Sequence, residues 1–347
     1  MRQNKPAKSS SRNRRGAGRA NESHASSSLP DIRWTGLHEF ADGGGEAFQR
    51  YYKLETLGSA IEYMFKQGND RFILPAVQQK LGPATVSSLQ FSLIQENRHR
   101  LVFRLRAGNT RKKLATFAMV AAKKNLNDST LIADEHAILR TLFTRCSKHI
   151  IQPFRGGTVY LPDRYRRADK GREIYLYLTQ WLTGYQPLGV NNNAQCIVNA
   201  EAKHTFSNIH TENIKAKIIE IILCTYDEKK QNLMALPDII GGDFYVKHVP
   251  KGMPLVKLSA SRKLFEQAKP GQILSSLLNA SWVCGEQHFQ LAPESPELFW
   301  TSVQKALGKE MAPVWIRELI RFTSRMRKTT AQTTYLQSLL SQAGLMA

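Results

Sequence analysis

The chain has 347 residues, 42% of them hydrophobic, enough for one large domain or two modest ones around a buried core. Its 49 Lys and Arg against 28 Asp and Glu give a formal net charge of +21, which bears on partners and solubility rather than on fold. With no secretion-type apolar stretch in the first thirty residues, and IIEIILC (218–224) the nearest thing to a membrane span, the reading is a soluble, cytoplasmic protein without a transmembrane segment.

Cys146, Cys196, Cys224 and Cys284 are scattered, with no CxxC and no metal-ligand spacing, and read as reduced thiols. Residues 1–30 hold seven Lys or Arg against one Glu, set among Ser, Asn, Gly and Pro. They bury too little apolar surface to offset the entropy of ordering and read as a disordered basic tail. Such a tail suits an acidic or anionic partner, and it serves equally as a plain solubilising segment.

Residues 31–84 read as a helical N-terminal extension, with Phe48, Tyr52, Leu57, Ile61, Met64 and Phe65 roughly on one face. SSLQFSLIQ (87–95) and RLVFRLRA (100–107) form a β-hairpin across ENRH, and LATFAMVAAKK (114–124) makes a third strand. TLIADEHAILRTLFTR (130–145) presents one apolar helical face. HIIQPFRGGTVYLP (149–162) and REIYLYLTQWL (172–182) are further strands on either side of the charged loop DRYRRADKGR. NIKAKIIEIILCTYDE (213–228) spaces Ile214, Ile218, Ile221 and Ile222 as a buried helix does. DFYVKHV (243–249) and LVKLSA (255–260) make a hairpin about PKGMP. ILSSLLNASWV, SPELFWTSVQKAL with its Ser-Pro-Glu start, and APVWIRELIRFTSRMRK read as helices.

Three strands, a helix, two strands and then a helical region, over roughly residues 85–330, resemble the protein-kinase-like family. The resemblance implies an α+β, bilobal fold. A small five-stranded antiparallel lobe with one helix would occupy 85–182, and a mainly helical lobe 183–347. VAAKK (120–124) is similar to the family's V-A-I-K strand, which implies that Lys123 meets nucleotide phosphates and pairs with Glu135 of ADEHAILRTL. The plainer reading is two solvated lysines beside a surface glutamate. LYLTQWLTG (176–184) resembles the segment that crosses between lobes, so backbone groups from Gln180 to Leu182 would meet an adenine. In LPDIIGGDFYV (236–246), the D-x-x-x-x-D spacing implies Asp238 as catalytic base and Asp243 as metal ligand, Asp standing where the family has Asn. The implied cofactors are ATP and Mg²⁺. A second register makes Asp243 catalytic and puts His248 at the metal position, as in small-molecule and lipopolysaccharide-type kinases.

Four departures weaken catalysis. Leu236 and Pro237 replace the His and Arg that lock the loop, Ala260 replaces the metal-binding aspartate after LVKL, and IQENRHRLV (94–102) has no glycine to cradle phosphates. Losing one preorganised stabiliser commonly costs about 10²–10³ in rate. The expectation is a pseudokinase or weak atypical ATP-dependent phosphotransferase, regulatory or scaffolding, with a protein partner. Two alternatives stay open: a basic adaptor for nucleic acid or an anionic surface, and an active small-molecule or lipopolysaccharide-type kinase using Asp243 and His248.

Overall fold

The computed structural model describes residues 29–35, 57–96, 99–123, 126–160, 173–191, 193, 195–198, 204–234, 243–284 and 287–345. The architecture is α+β. Its first half is built on an antiparallel run of five strands. β2 (Val86–Glu96) pairs with β3 (Arg100–Asn109), and β3 with β4 (Leu114–Ala122). β6 (Glu173–Gln180) then lies against β4, with β5 (Pro153–Tyr160) outside it.

Alternation along these strands sorts their side chains onto two faces. Leu89, Phe91, Leu101, Phe103, Leu105, Phe117 and Met119 point to one side, where residues 57–66 (α1) and α2 (Ile73–Leu81) cover them with Leu57, Ile61, Phe65, Ile73 and Val77. Val120, Ala122 and Tyr177 face the other side and meet Ile132, Leu139 and Leu142 of α3 (Leu126–Cys146). The sheet is thus sandwiched between helices.

The stretch 31–84, read as helical, also supplies a strand. β1 (Asp31–Thr35) joins the edge as a sixth strand, parallel to β2, with Trp34 opposite Phe91 and their rings stacked at 4.4 Å. A five-residue edge strand is stabilised by its partner rather than by its own pattern.

The second half carries more strand than the sequence reading assigns. β7 (Gln186–Val190), β8 (Cys196–Val198), β9 (His204–Thr205), β11 (Phe244–Lys247) and β12 (Leu255–Leu258) form a five-stranded sheet in the order β12-β11-β7-β8-β9. The hairpin about PKGMP is its β11–β12 pair. α4 (Asn208–Cys224) lies deep in the core, with Ile214, Ile218, Ile219, Ile221 and Ile222 each at most 1% exposed. Burying one such side chain contributes about 1.5–3 kcal/mol. β10 (Leu233–Met234) pairs with β13 (Leu264–Phe265). Beyond them come α5 (Pro270–Asn279), the hairpin β14 (Ser281–Cys284) to β15 (Gln287–Gln290), α6 (Pro296–Thr323) and α7 (Thr330–Gln342). α6 starts as Ser-Pro-Glu foretells, with the Ser295 hydroxyl accepting from the Leu298 N–H and Pro296 in the first turn, and Gly308 at φ 83° interrupts it. Among the described residues no helix is long and apolar enough to cross a membrane.

The cysteine reading needs correction. Cys146 ends α3 and Cys224 ends α4, their Cα atoms are 6.0 Å apart, and the two are joined in a disulfide. Positions 78 apart in the chain show no such proximity until α3 and α4 pack. Thiol usage therefore no longer argues for a reducing compartment. Cys196 is buried. The tail reading falls, up to residue 28, outside the described residues.

Candidate functional site

The two halves meet where the near end of β3, the middle of α3 and the start of β11 converge. Arg100 opens β3, opposite Ala122 of β4. One terminal nitrogen of its guanidinium donates to both Glu135 carboxylate oxygens at 3.0 Å, and the Tyr177 hydroxyl donates to the same carboxylate at 2.6 Å. Glu135 is 1% exposed. Burial works against the Arg100 charge. Glu135, then Tyr177, Asp243 and Tyr245, outweigh it, so the guanidinium holds its proton more firmly than an ordinary arginine. Burial, then Glu135, pushes the Tyr177 hydroxyl well above the usual tyrosine range.

Asp243 is buried just before β11, 3.5 Å from an Arg262 guanidinium nitrogen. The Ser259 N–H and hydroxyl both donate to the Asp243 carbonyl, at 2.8 and 3.0 Å. Segment 259–261, with Ala260 fully buried, thereby lies against Asp243.

Lys123 goes elsewhere. Its ammonium pairs with Glu96 at the end of β2, while Glu135 takes Arg100. Strand parity explains the exchange. Arg100 and its partner Ala122 share the face that α3 covers, whereas Lys123, one residue on, belongs to the face of Ala121, Leu101 and Glu96. A third pair, His99 Nδ1 to Asp128 at 2.8 Å, fastens the same hairpin end to the start of α3. Glu135 and Asp243 are therefore gathered around Arg100, whereas Lys123 lies on the opposite face of the sheet and pairs with Glu96.

Gln180 and Leu182 lie where β6 leaves for β7. The Gln180 N–H donates to the Gln152 carbonyl at 2.8 Å, and the Leu182 carbonyl accepts from the Tyr185 N–H at 3.2 Å. Thr179 beside them is 1% exposed. Arg104, two alternations along β3 from Arg100, stands over the Trp181 ring at 5.9 Å. Among the described residues, Arg104 Nε and Gln186 Oε1 are buried without a hydrogen-bond partner. Sequence reasoning passed over Arg104 and the Trp181 side chain, and took Arg100 for a solvated surface arginine. The signal was there in R-x-V-x-R-x-R (100–106), whose period of two puts three arginines on the face away from the apolar cluster.

Asp238 lies outside the described residues, as do Leu236 and Pro237. His248 lies just past β11, its ring 6.1 Å from that of Phe206. Among the described residues no three His, Cys, Asp or Glu side chains converge to hold a metal ion. Comparison with protein-family models and with curated proteins finds no match to the chain.

Proposed function

We propose that the chain is a kinase-like protein with degenerate catalytic motifs, a pseudokinase whose role is regulatory or scaffolding through a protein partner. The observation that carries this reading is the Arg100–Glu135 pair: a buried glutamate, on the helix between the third and fourth strands of an antiparallel run, held by a cation from that sheet and within electrostatic reach of Asp243. The family keeps a lysine–glutamate pair at that station, and here arginine from a neighbouring strand takes the lysine's part. The order of elements supports it too: a connector after β6, the β10–β13 pair, and a β11–β12 hairpin whose exit returns to Asp243.

Arg104 and the connector stand about 14 Å along β3 from Arg100, which suits the length of a nucleotide. Buried polar groups without partners among the described residues, such as Arg104 Nε and Gln186 Oε1, are what a ligand-binding crevice retains. Turnover has weaker support. Lys123, Arg100 and Asp243 are each engaged by a protein charge, namely Glu96, Glu135 and Arg262. A phosphate or Mg²⁺ must compete with those pairs, and breaking a buried one costs about 3–5 kcal/mol.

The test is a thermal-shift titration with ATP, with and without Mg²⁺, alongside a phosphoryl-transfer assay, on wild type, Lys123→Ala and Asp243→Ala. Nucleotide stabilisation that weakens in Asp243→Ala, with no turnover, is the expected result. Efficient phosphoryl transfer that Asp243→Ala abolishes overturns the pseudokinase reading.

A second reading, a basic adaptor, is favoured by the β3–β4 turn, where Arg111, Lys112 and Lys113 are exposed beside exposed Arg106. It calls for nucleic-acid binding whose logarithm falls linearly with log salt. Binding that salt leaves unchanged removes it.

A further inference from the structure

At the far side of the second half, α4, α5, the end of α6 and the start of α7 do not close on one another. The Tyr335 hydroxyl donates to the Pro293 carbonyl at 3.0 Å, and the Glu294 N–H donates to Glu212 of α4 at 2.6 Å. These bonds hold the segment before α6 against α4 and α7, and leave a cavity of about 750 Å³ between that segment and α5. The volume is that of a small-molecule site, roughly 300–1,000 Å³. The cavity shares no lining residue with the Arg100–Glu135–Asp243 cluster.

Its walls differ by region. Leu278, Leu336 and the Tyr335 ring give an apolar flank. Ser275, a residue only 5% exposed, adds a hydroxyl to the wall. Lys215, its side chain 8% exposed, adds an ammonium whose charge Glu212 offsets at 2.8 Å. At the mouth stand Arg327 and Lys328, both exposed and neither in an ion pair among the described residues, against one exposed acid, Glu294.

An apolar flank, a hydroxyl in the wall and an excess of cations at the entrance are complementary to one kind of molecule. The geometry points to a binding site for a small amphipathic anion, its acyl or aryl body against Leu278, Leu336 and Tyr335 and its carboxylate, sulfonate or phosphate group toward Arg327 and Lys328. This inference stands apart from the pseudokinase reading and survives its failure.

The experiment is calorimetric titration of the full chain with decanoate, 1-anilinonaphthalene-8-sulfonate and, as the uncharged control, decanol. Two variants at exposed lining positions accompany wild type: Arg327→Ser/Lys328→Ser removes the cations, and Ala331→Trp plugs the mouth. Thermal melts of both variants establish that they fold. The expected result is saturable binding of at least one anion, weakened about tenfold by the double substitution, abolished by Ala331→Trp, and stronger than that of decanol. Saturation by decanoate alone assigns an acyl body, and by the naphthalene sulfonate alone an aryl one. Binding of neither anion to wild type, or equal binding to wild type and folded Ala331→Trp, overturns the proposal.

Discussion

A single guanidinium nitrogen of Arg100 spans both carboxylate oxygens of Glu135, and so ties the sheet to α3 at the junction of the two halves. Truncating one member strands a buried charge, and such losses run to about 3–5 kcal/mol. Arg100→Ala should therefore lower the urea midpoint strongly, since among the described residues only Tyr177 then remains on the carboxylate. Replacing both members, Arg100→Met with Glu135→Leu, should recover most of that loss, because no unpaired charge is left behind. A double variant as unstable as Arg100→Ala would show that the pair does not act as a unit.

Gly156 and Gly157 sit side by side in β5 and answer to opposite faces. A Cβ on Gly156 would lie 2.6 Å from Tyr177 Cβ, 2.9 Å from His136 Nδ1 and 2.9 Å from the Leu176 carbonyl oxygen. Two of those atoms cannot rotate away. On Gly157 the obstacle is the Phe72 ring, at 2.5 Å, which ends a side chain and can turn. Gly156→Ala should cost about 2–3 kcal/mol, the upper part of the overpacking range, and Gly157→Ala clearly less. Chemical denaturation of the two variants ranks them, and the reverse order would contradict the packing described for α3.

How far the chain announced all this depends on where each signal resides. β2, β3 and α4 carry their pattern locally: alternation about Leu89, Phe91, Leu101 and Phe103, and isoleucines at helical spacing from 214 to 222. β1 and β7 to β9 are five, five, three and two residues long, too short for a local pattern to mark them, and β1 and β7 also depend on distant ladder partners, β2 and β11. The site divides in the same way. The resemblance to kinases implied Glu135 and Asp243 at one site, but the choice of cation turned on strand parity. Ala122, not Lys123, shares a face with Arg100, and that follows only from the β3–β4 register. Cys146 and Cys224 likewise meet only after α3 and α4 have docked.

Glu220 of α4 gives the fold an acid-sensitive joint. Burial pushes its carboxyl up, yet hydrogen bonds from His149 and Lys217, at 3.2 and 2.6 Å, together with their charge, hold it down at about 2 against an ordinary 4.5. A carboxyl with a depressed folded value stabilises the protein fully above its unfolded value and loses that contribution as pH falls through the folded one. The window is therefore pH 4.5 to 2, and the contribution is on the order of 3 kcal/mol. The urea midpoint should fall across this window in wild type, and Glu220→Gln should flatten part of that slope while lowering stability at neutral pH. An unchanged slope in Glu220→Gln would assign the acid sensitivity to other carboxyls.

The end of α3 is fixed to the second half twice over, by the Cys146–Cys224 bridge and by the neighbouring Arg145. That guanidinium donates to the Thr225 carbonyl at 2.9 Å, to Asn232 Oδ1 at 3.0 Å and to Asp227 at 2.8 Å. A bridge closing a loop of 78 positions removes chain entropy worth about 4.5 kcal/mol from the unfolded state, typical measured values being about 2–4. Cys146→Ala should reproduce the loss of stability seen in reduced wild type and be insensitive to reductant itself. Neither should free α3 completely, because the Arg145 contacts persist, and Arg145→Ala should cost more in reduced than in oxidised protein. Masses of the denatured protein before and after reduction report the bridge directly, and urea midpoints under both conditions report its worth. Stability that ignores reductant, with Arg145→Ala costing the same in either state, would leave the guanidinium as the clamp and the sulfur pair as a bystander.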